Sequence, residues 1–161
     1  MMVRNLCALI LLLSSFMSLA AWNDDKVDLS NIEDSLEGIK ESQQKSQDSM
    51  HYVRTIDGSQ YVPEPKSSRD KPAYSYFSLE SYDIYSSQGG KRMVQATITN
   101  HSGSGVSLKP SQIKAYFGNE QYVSPTRIVQ DGSFAQEETK SVTLYFGESS
   151  ESILGLLTRS Y

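Results

Sequence analysis

A chain of 161 residues with 15 basic and 19 acidic side chains is long enough for one domain and a tail. Its single cysteine, Cys7, excludes a disulfide framework. Two histidines, His51 and His101, leave little for zinc or general-base chemistry, and no basic stripe offers nucleic acid an electrostatic footing.

In chain order, the first segment carries Arg4, an apolar run from Leu6 to Leu13, and small residues Ser18 and Ala20 ahead of Ala21. These are the parts of a secretory signal peptide over residues 1–20, with cleavage before Ala21. A spanning helix needs about 20 apolar residues, and Ser14, Ser15 and Ser18 interrupt this run. No integral membrane span is therefore expected after cleavage. Cys7 sits inside the apolar run rather than after it, which argues against a lipid anchor. The expected location is periplasmic or extracellular.

Residues 21–53 form an acidic segment with helical spacing. Eight acids and three bases fall between residues 21 and 50, whereas residues 73–161 hold eight acids and seven bases. Leu29, Ile32, Leu36 and Ile39 follow a 3-4-3 spacing, and the same register runs on through Gln43, Ser46, Met50 and Val53. Ser30 and Glu33 fit a capping box. Gly38 costs about 1 kcal/mol relative to alanine, and a solitary helix of this length is marginal in water. Such a helix either frays or packs on its own domain, or it buries the stripe in a short coiled coil or a partner's groove.

Residues 54–72 are expected to be a hairpin and a proline-rich linker. Asp57-Gly58 sits between Tyr52–Ile56 and Ser59–Val62, a turn signal between two β-forming runs. Pro63, Pro65 and Pro72 then flank a polar stretch, which places the domain boundary before residue 73.

From residue 73 to 161 three stretches alternate with period two. Val94, Ala96 and Ile98 share one face, as do Ile113, Ala115 and Phe117, and Val142, Leu144 and Phe146. Turn signals separate them at Gln88–Gly90, Asn100–Gly105, Gly118-Asn119 and Asp131–Ser133. Short alternating strands with such turns predict an all-β antiparallel sandwich. Tyr116 and Tyr145 fall on the wet faces, opposite Phe117 and Phe146, and are candidates for partner contact.

The runs Val94–Asn100, Val106–Leu108 with Ile113–Tyr116, and Glu138–Phe146 resemble the exported bacterial immunoglobulin-like accessory domains, the family of the mycobacterial immunoprotective extracellular protein and related small lipoprotein domains. The resemblance covers about residues 75–161 and implies an immunoglobulin-like sandwich and export. It carries over no active-site residue. The chain departs from the family in having Phe134–Glu137 where many relatives have a Pro-Gly turn.

No catalytic, metal or cofactor set emerges. His101 lies in Asn100–Gly105 without an acidic neighbour in sequence, and Ser102–Gly105 lacks the flanking glycines of a nucleophile elbow. Asp24-Asp25 and Glu137-Glu138 are adjacent acids that read as solvated charge, and Asn100-His101-Ser102 matches an N-glycosylation acceptor. The expected function is a non-enzymatic interaction or assembly module of the cell envelope. Its partner is an envelope or secreted protein, or a second copy met through the helix at Leu29, Ile32, Leu36 and Ile39. The alternatives are a small-ligand or polysaccharide binder that stacks on tyrosines, and, disfavoured, a hydrolase.

Overall fold

The computed structural model describes residues 30–58 and 62–161. The expected signal peptide, its Ser18, Ala20 and Ala21 site, Cys7, Asp24-Asp25 and Leu29 lie outside the described residues. So does the side chain of Ile32. The chain divides into two compact units, Met1–Ile39 and Lys40–Tyr161. Helix α1, Ser30–Asp48, begins in the first and ends in the second. Within the first unit, Leu36 and Ile39 are 52% and 55% exposed. No helix among the described residues is long and apolar enough to cross a membrane.

The second unit is a β-sandwich. Sheet I orders its five strands as β1 (His51–Asp57), β3 (Phe77–Ser86), β4 (Lys91–Asn100), β8 (Thr139–Glu148) and β7 (Arg127–Val129). Sheet II orders β2 (Tyr74–Ser75), β9 (Ile153–Ser160), β5 (Ile113–Phe117) and β6 (Tyr122–Val123). All pairings are antiparallel except β2 with β9.

The period-two residues make the core. Val94, Ala96, Ile98, Ile113, Ala115, Phe117, Val142, Leu144 and Phe146 are all buried, as the alternation requires of strands with one dry face. Phe134, in the segment between β7 and β8, is fully buried edge-to-face against Phe77, with centroids 5.1 Å apart. Fully burying side chains of this size contributes about 1.5–3 kcal/mol each, so a domain without a disulfide has the core it needs.

Three expectations about residues 43–72 are corrected. The helical register does not reach Val53: α1 ends at Asp48, and Val53 belongs to β1. The helix end is closed by Ser49 Oγ donating to Lys45 O and by Gly89 N donating to Gln47 O. The hairpin across Asp57-Gly58 is not the pairing that β1 makes. Gly58 turns at φ +70° and donates its N–H to Glu80 O, and β1 pairs with β3, placed against it by residues further along the chain. Local turn chemistry competes with sheet pairing, and here the hydrophobic face won: Ile56 is buried in the core.

The proline-rich stretch is not a free linker either. Pro65 and Pro72 are buried. Pro63 O accepts from the Tyr122 hydroxyl at 2.7 Å, and Arg69 O accepts from Lys114 Nζ at 2.8 Å. Residues 62–72 therefore form a strap over the outer face of sheet II. Gly155 makes room for it: a Cβ there would lie 2.6 Å from Val62 Cγ2.

Candidate functional site

With sheet II strapped, the outer face of sheet I is the broad surface that the fold leaves open. The strand register assembles one row across all five strands. Tyr52 pairs with Tyr85, Tyr85 with Met93, Met93 with Tyr145, and Tyr145 with Arg127. Side chains in direct cross-strand register lie about 4.5–5.5 Å apart at Cβ, so five residues distant in sequence become one band. Tyr52 is 59% exposed and meets Tyr85 edge-to-face at 6.0 Å. The guanidinium of Arg127 lies over the Tyr145 ring, 4.0 Å from its centroid. The next row is polar, running Thr55, Asp83, Gln95, Thr143 and then Val129. The apolar band thus occupies one end of the face.

That end adjoins the close of α1. Lys91 Nζ pairs with Asp48 Oδ2 at 2.9 Å, and a cleft of about 430 Å³ opens between them and the row, lined among others by Met50, Met93, Arg127 and Tyr145. A methionine-lined wall adapts to varied apolar shapes. An arginine over an aromatic ring has donors left for a carboxylate.

Of the two tyrosines singled out from sequence, Tyr145 belongs to this band. Tyr116 stands on the opposite outer face, 5.1 Å from Tyr122 beside the strap. They cannot form one surface. Tyr52, Tyr85, Met93 and Arg127 were missed, although Met93 sits at an alternating position of a legible strand. The missing signal was the register that lines them up, which long-range pairing sets; for Tyr52 the reading of β1 as half of a local hairpin hid it as well.

Three other tyrosines and an arginine are engaged among themselves. Tyr161 stacks between Tyr74 and Tyr76, at 5.3 and 4.7 Å, and Arg159 lies over Tyr74 at 3.8 Å.

His101 has no acidic neighbour in sequence, but the fold brings it one from 36 residues away. Its Nδ1 lies 2.9 Å from Glu137 Oε2 and its Nε2 2.8 Å from Ser78 Oγ. Serine, histidine and carboxylate in this order have the connectivity of a nucleophilic triad. The proton inventory points elsewhere. Ser78 donates its one hydroxyl proton to Glu80 Oε1 at 2.6 Å, and this bond is the chief reason that the Glu80 carboxyl is held below its ordinary pKa, with Thr99 adding to it. The arrangement is a clamp between β3 and the turn before β8, and activating Ser78 would require it to leave Glu80.

The clamp stands on Asn100. This residue is fully buried; its Nδ2 donates to Ser104 O, Phe134 O and Ala135 O at 3.1, 3.4 and 2.8 Å, and its Oδ1 accepts from Ser102 N at 2.9 Å. An amide so occupied is inaccessible to glycosylation in the folded state. Glu137 and Glu138 are not merely solvated: Glu138 accepts from Ala135 N, which chiefly lowers its pKa, and pairs with Lys140 at 3.1 Å. Among the described residues no group of three or more potential ligands could hold a metal.

No protein-family model matches this chain, and neither do any curated proteins or solved structures.

Proposed function

We propose that the protein is an exported, non-enzymatic interaction module of the cell envelope that docks a protein partner on the outer face of sheet I. One observation carries this reading: the Tyr52, Tyr85, Met93, Tyr145 and Arg127 row lies on the open face while the opposite face is occupied by the chain's own strap. Tyrosine, methionine and arginine are the residues enriched at protein interfaces. Export is proposed on the signal-peptide pattern of residues 1–20.

The immunoglobulin-like assignment is part of the same proposal. The order β3-β4-β8-β7 facing β9-β5-β6, read in chain order, follows the A-B-E-D and F-C-C′ arrangement of that fold. The chain changes sheet at the three corresponding connections, after β4, β6 and β8. A carbohydrate platform is less well supported, because one face of Tyr145 is taken by Arg127 and the Tyr74, Tyr161 and Tyr76 rings are stacked on one another.

The test is site-specific photo-crosslinking in the native envelope, with the probe at Tyr52, Gln95 or Tyr145, and at Lys66 on the strap as control. Adducts confined to the sheet I positions are expected. Equal adducts at Lys66, or none at the sheet I positions, would overturn the reading.

A further inference from the structure

We infer that the cleft beside Tyr145 binds an acidic peptide segment bearing aliphatic side chains, and that its occupant is the N-terminal acidic segment of a second copy of this chain. The inference rests on the reading of sheet I's outer face as the interaction surface, and it names the partner.

The cleft sets an apolar wall beside charged groups, in which Lys91, Arg92 and Arg127 outnumber Asp48 and Glu148. Met50, Met93 and the ring of Tyr145 offer an apolar wall, and its volume of about 430 Å³ lies within the roughly 300–1,000 Å³ usual for ligand sites. Arg127, exposed with its guanidinium carbon 4.0 Å from the Tyr145 ring centroid, carries a planar donor group suited to a carboxylate. The Lys91–Asp48 pair at the rim is open to solvent, with side chains 44% and 38% exposed, so an incoming carboxylate can compete for the ammonium at little cost.

The complementary pattern is in the chain itself. Residues 21–39 carry Asp24, Asp25, Asp28, Glu33, Asp34 and Glu37 against the single base Lys26, interleaved with Leu29, Ile32, Leu36 and Ile39. Leu36 and Ile39, either side of Glu37, are about half exposed. An aliphatic side chain next to a carboxylate is what a methionine wall next to an arginine recognises. Reciprocal exchange between two copies would close a symmetric dimer, the commonest form of self-association.

The test titrates a labelled synthetic peptide of residues 21–39 with the full chain carrying Leu36→Ser and Ile39→Ser, whose own stripe no longer competes. Saturable binding is expected, weakened about tenfold by Arg127→Glu and weakened again as salt screens the charges. The unmodified chain should self-associate in sedimentation velocity, and the double-serine chain should not. Equal peptide binding with and without Arg127→Glu, or none, overturns the site. A unmodified chain that stays monomeric, and whose melting temperature falls with the double-serine change, overturns the second-copy occupant. Crosslinks to a different protein at Tyr52 or Gln95, with no peptide binding, would sink this inference while leaving the proposed function standing.

Discussion

Removing a single oxygen from Tyr82 should destabilise the sandwich by an amount out of proportion to the atom lost. Tyr82 projects from β3 into the core and is 2% exposed. Its hydroxyl accepts the Leu156 N–H at 3.1 Å in a buried bond, capping a donor on the side of β9 that β5 does not pair. Tyr82→Phe keeps the ring and its burial. It leaves the Leu156 N–H buried without an acceptor, which costs about 1–3 kcal/mol. With a urea m-value of about 1–3 kcal/mol/M for a domain this size, the unfolding midpoint should fall by about 1 M at unchanged m. Burial chiefly holds the Tyr82 phenol above its ordinary pKa, which adds a second readout. The unfolded chain releases this proton near pH 10 while the folded chain retains it, so the neutral phenol's contribution is whole below about pH 10 and is lost as pH rises through the folded value. The phenylalanine variant should lack this part of the alkaline loss. Equal midpoints for the two proteins at neutral pH would refute the argument that the hydroxyl caps the edge.

Asn100→Ala should cost at least about 2 kcal/mol, because three carbonyls and the Ser102 N–H lose their shared partner in a buried site; urea unfolding measures it, and a loss below about 0.5 kcal/mol would mean that the loop re-forms its bonds. Glu138→Gln should leave stability at low pH nearly unchanged while lowering it at neutral pH. The Glu138 pKa is depressed, chiefly by the Ala135 N–H, so its contribution is present above the ordinary carboxylate value near 4.3 and is lost as pH falls through the folded value; parallel pH profiles for the two proteins would contradict this.

The sequence exposed the central strands and concealed what lies beside them. Val94, Ala96 and Ile98, with their counterparts in β5 and β8, alternate strictly because one side of each strand is dry and the other wet, so their burial was legible without coordinates. Phe134 was not legible as core, since it plugs the sandwich from an irregular segment where no period exists. Nor was the acidic partner of His101, because Glu137 arrives from 36 residues away. β1 was misassigned for a definite reason. Asp57-Gly58 is a strong local turn signal, and the pairing it suggested lost to one that buries Ile56 against the rest of the core. That error hid one end of the candidate site, since Tyr52 joins the row only through its register with Tyr85.

The strap carries the functional argument further than its composition suggested. Proline and charged residues between two β-rich segments satisfy every local criterion for a linker, and a true linker would leave the outer faces of both sheets open. Residues 62–72 instead anchor backbone carbonyls on Tyr122 and Lys114. Gly155 supports this arrangement by lacking the Cβ that would collide with Val62. Proline suits such a path because a residue without an N–H leaves no backbone donor to satisfy against a sheet face. The face so covered is the one bearing Tyr116 and Tyr122. The face left open bears the band that ends in Arg127 and Tyr145. Two outward tyrosines that were equivalent by alternation are made unequal by a segment neither belongs to: the strap lies beside Tyr116 and leaves the face of Tyr145 open.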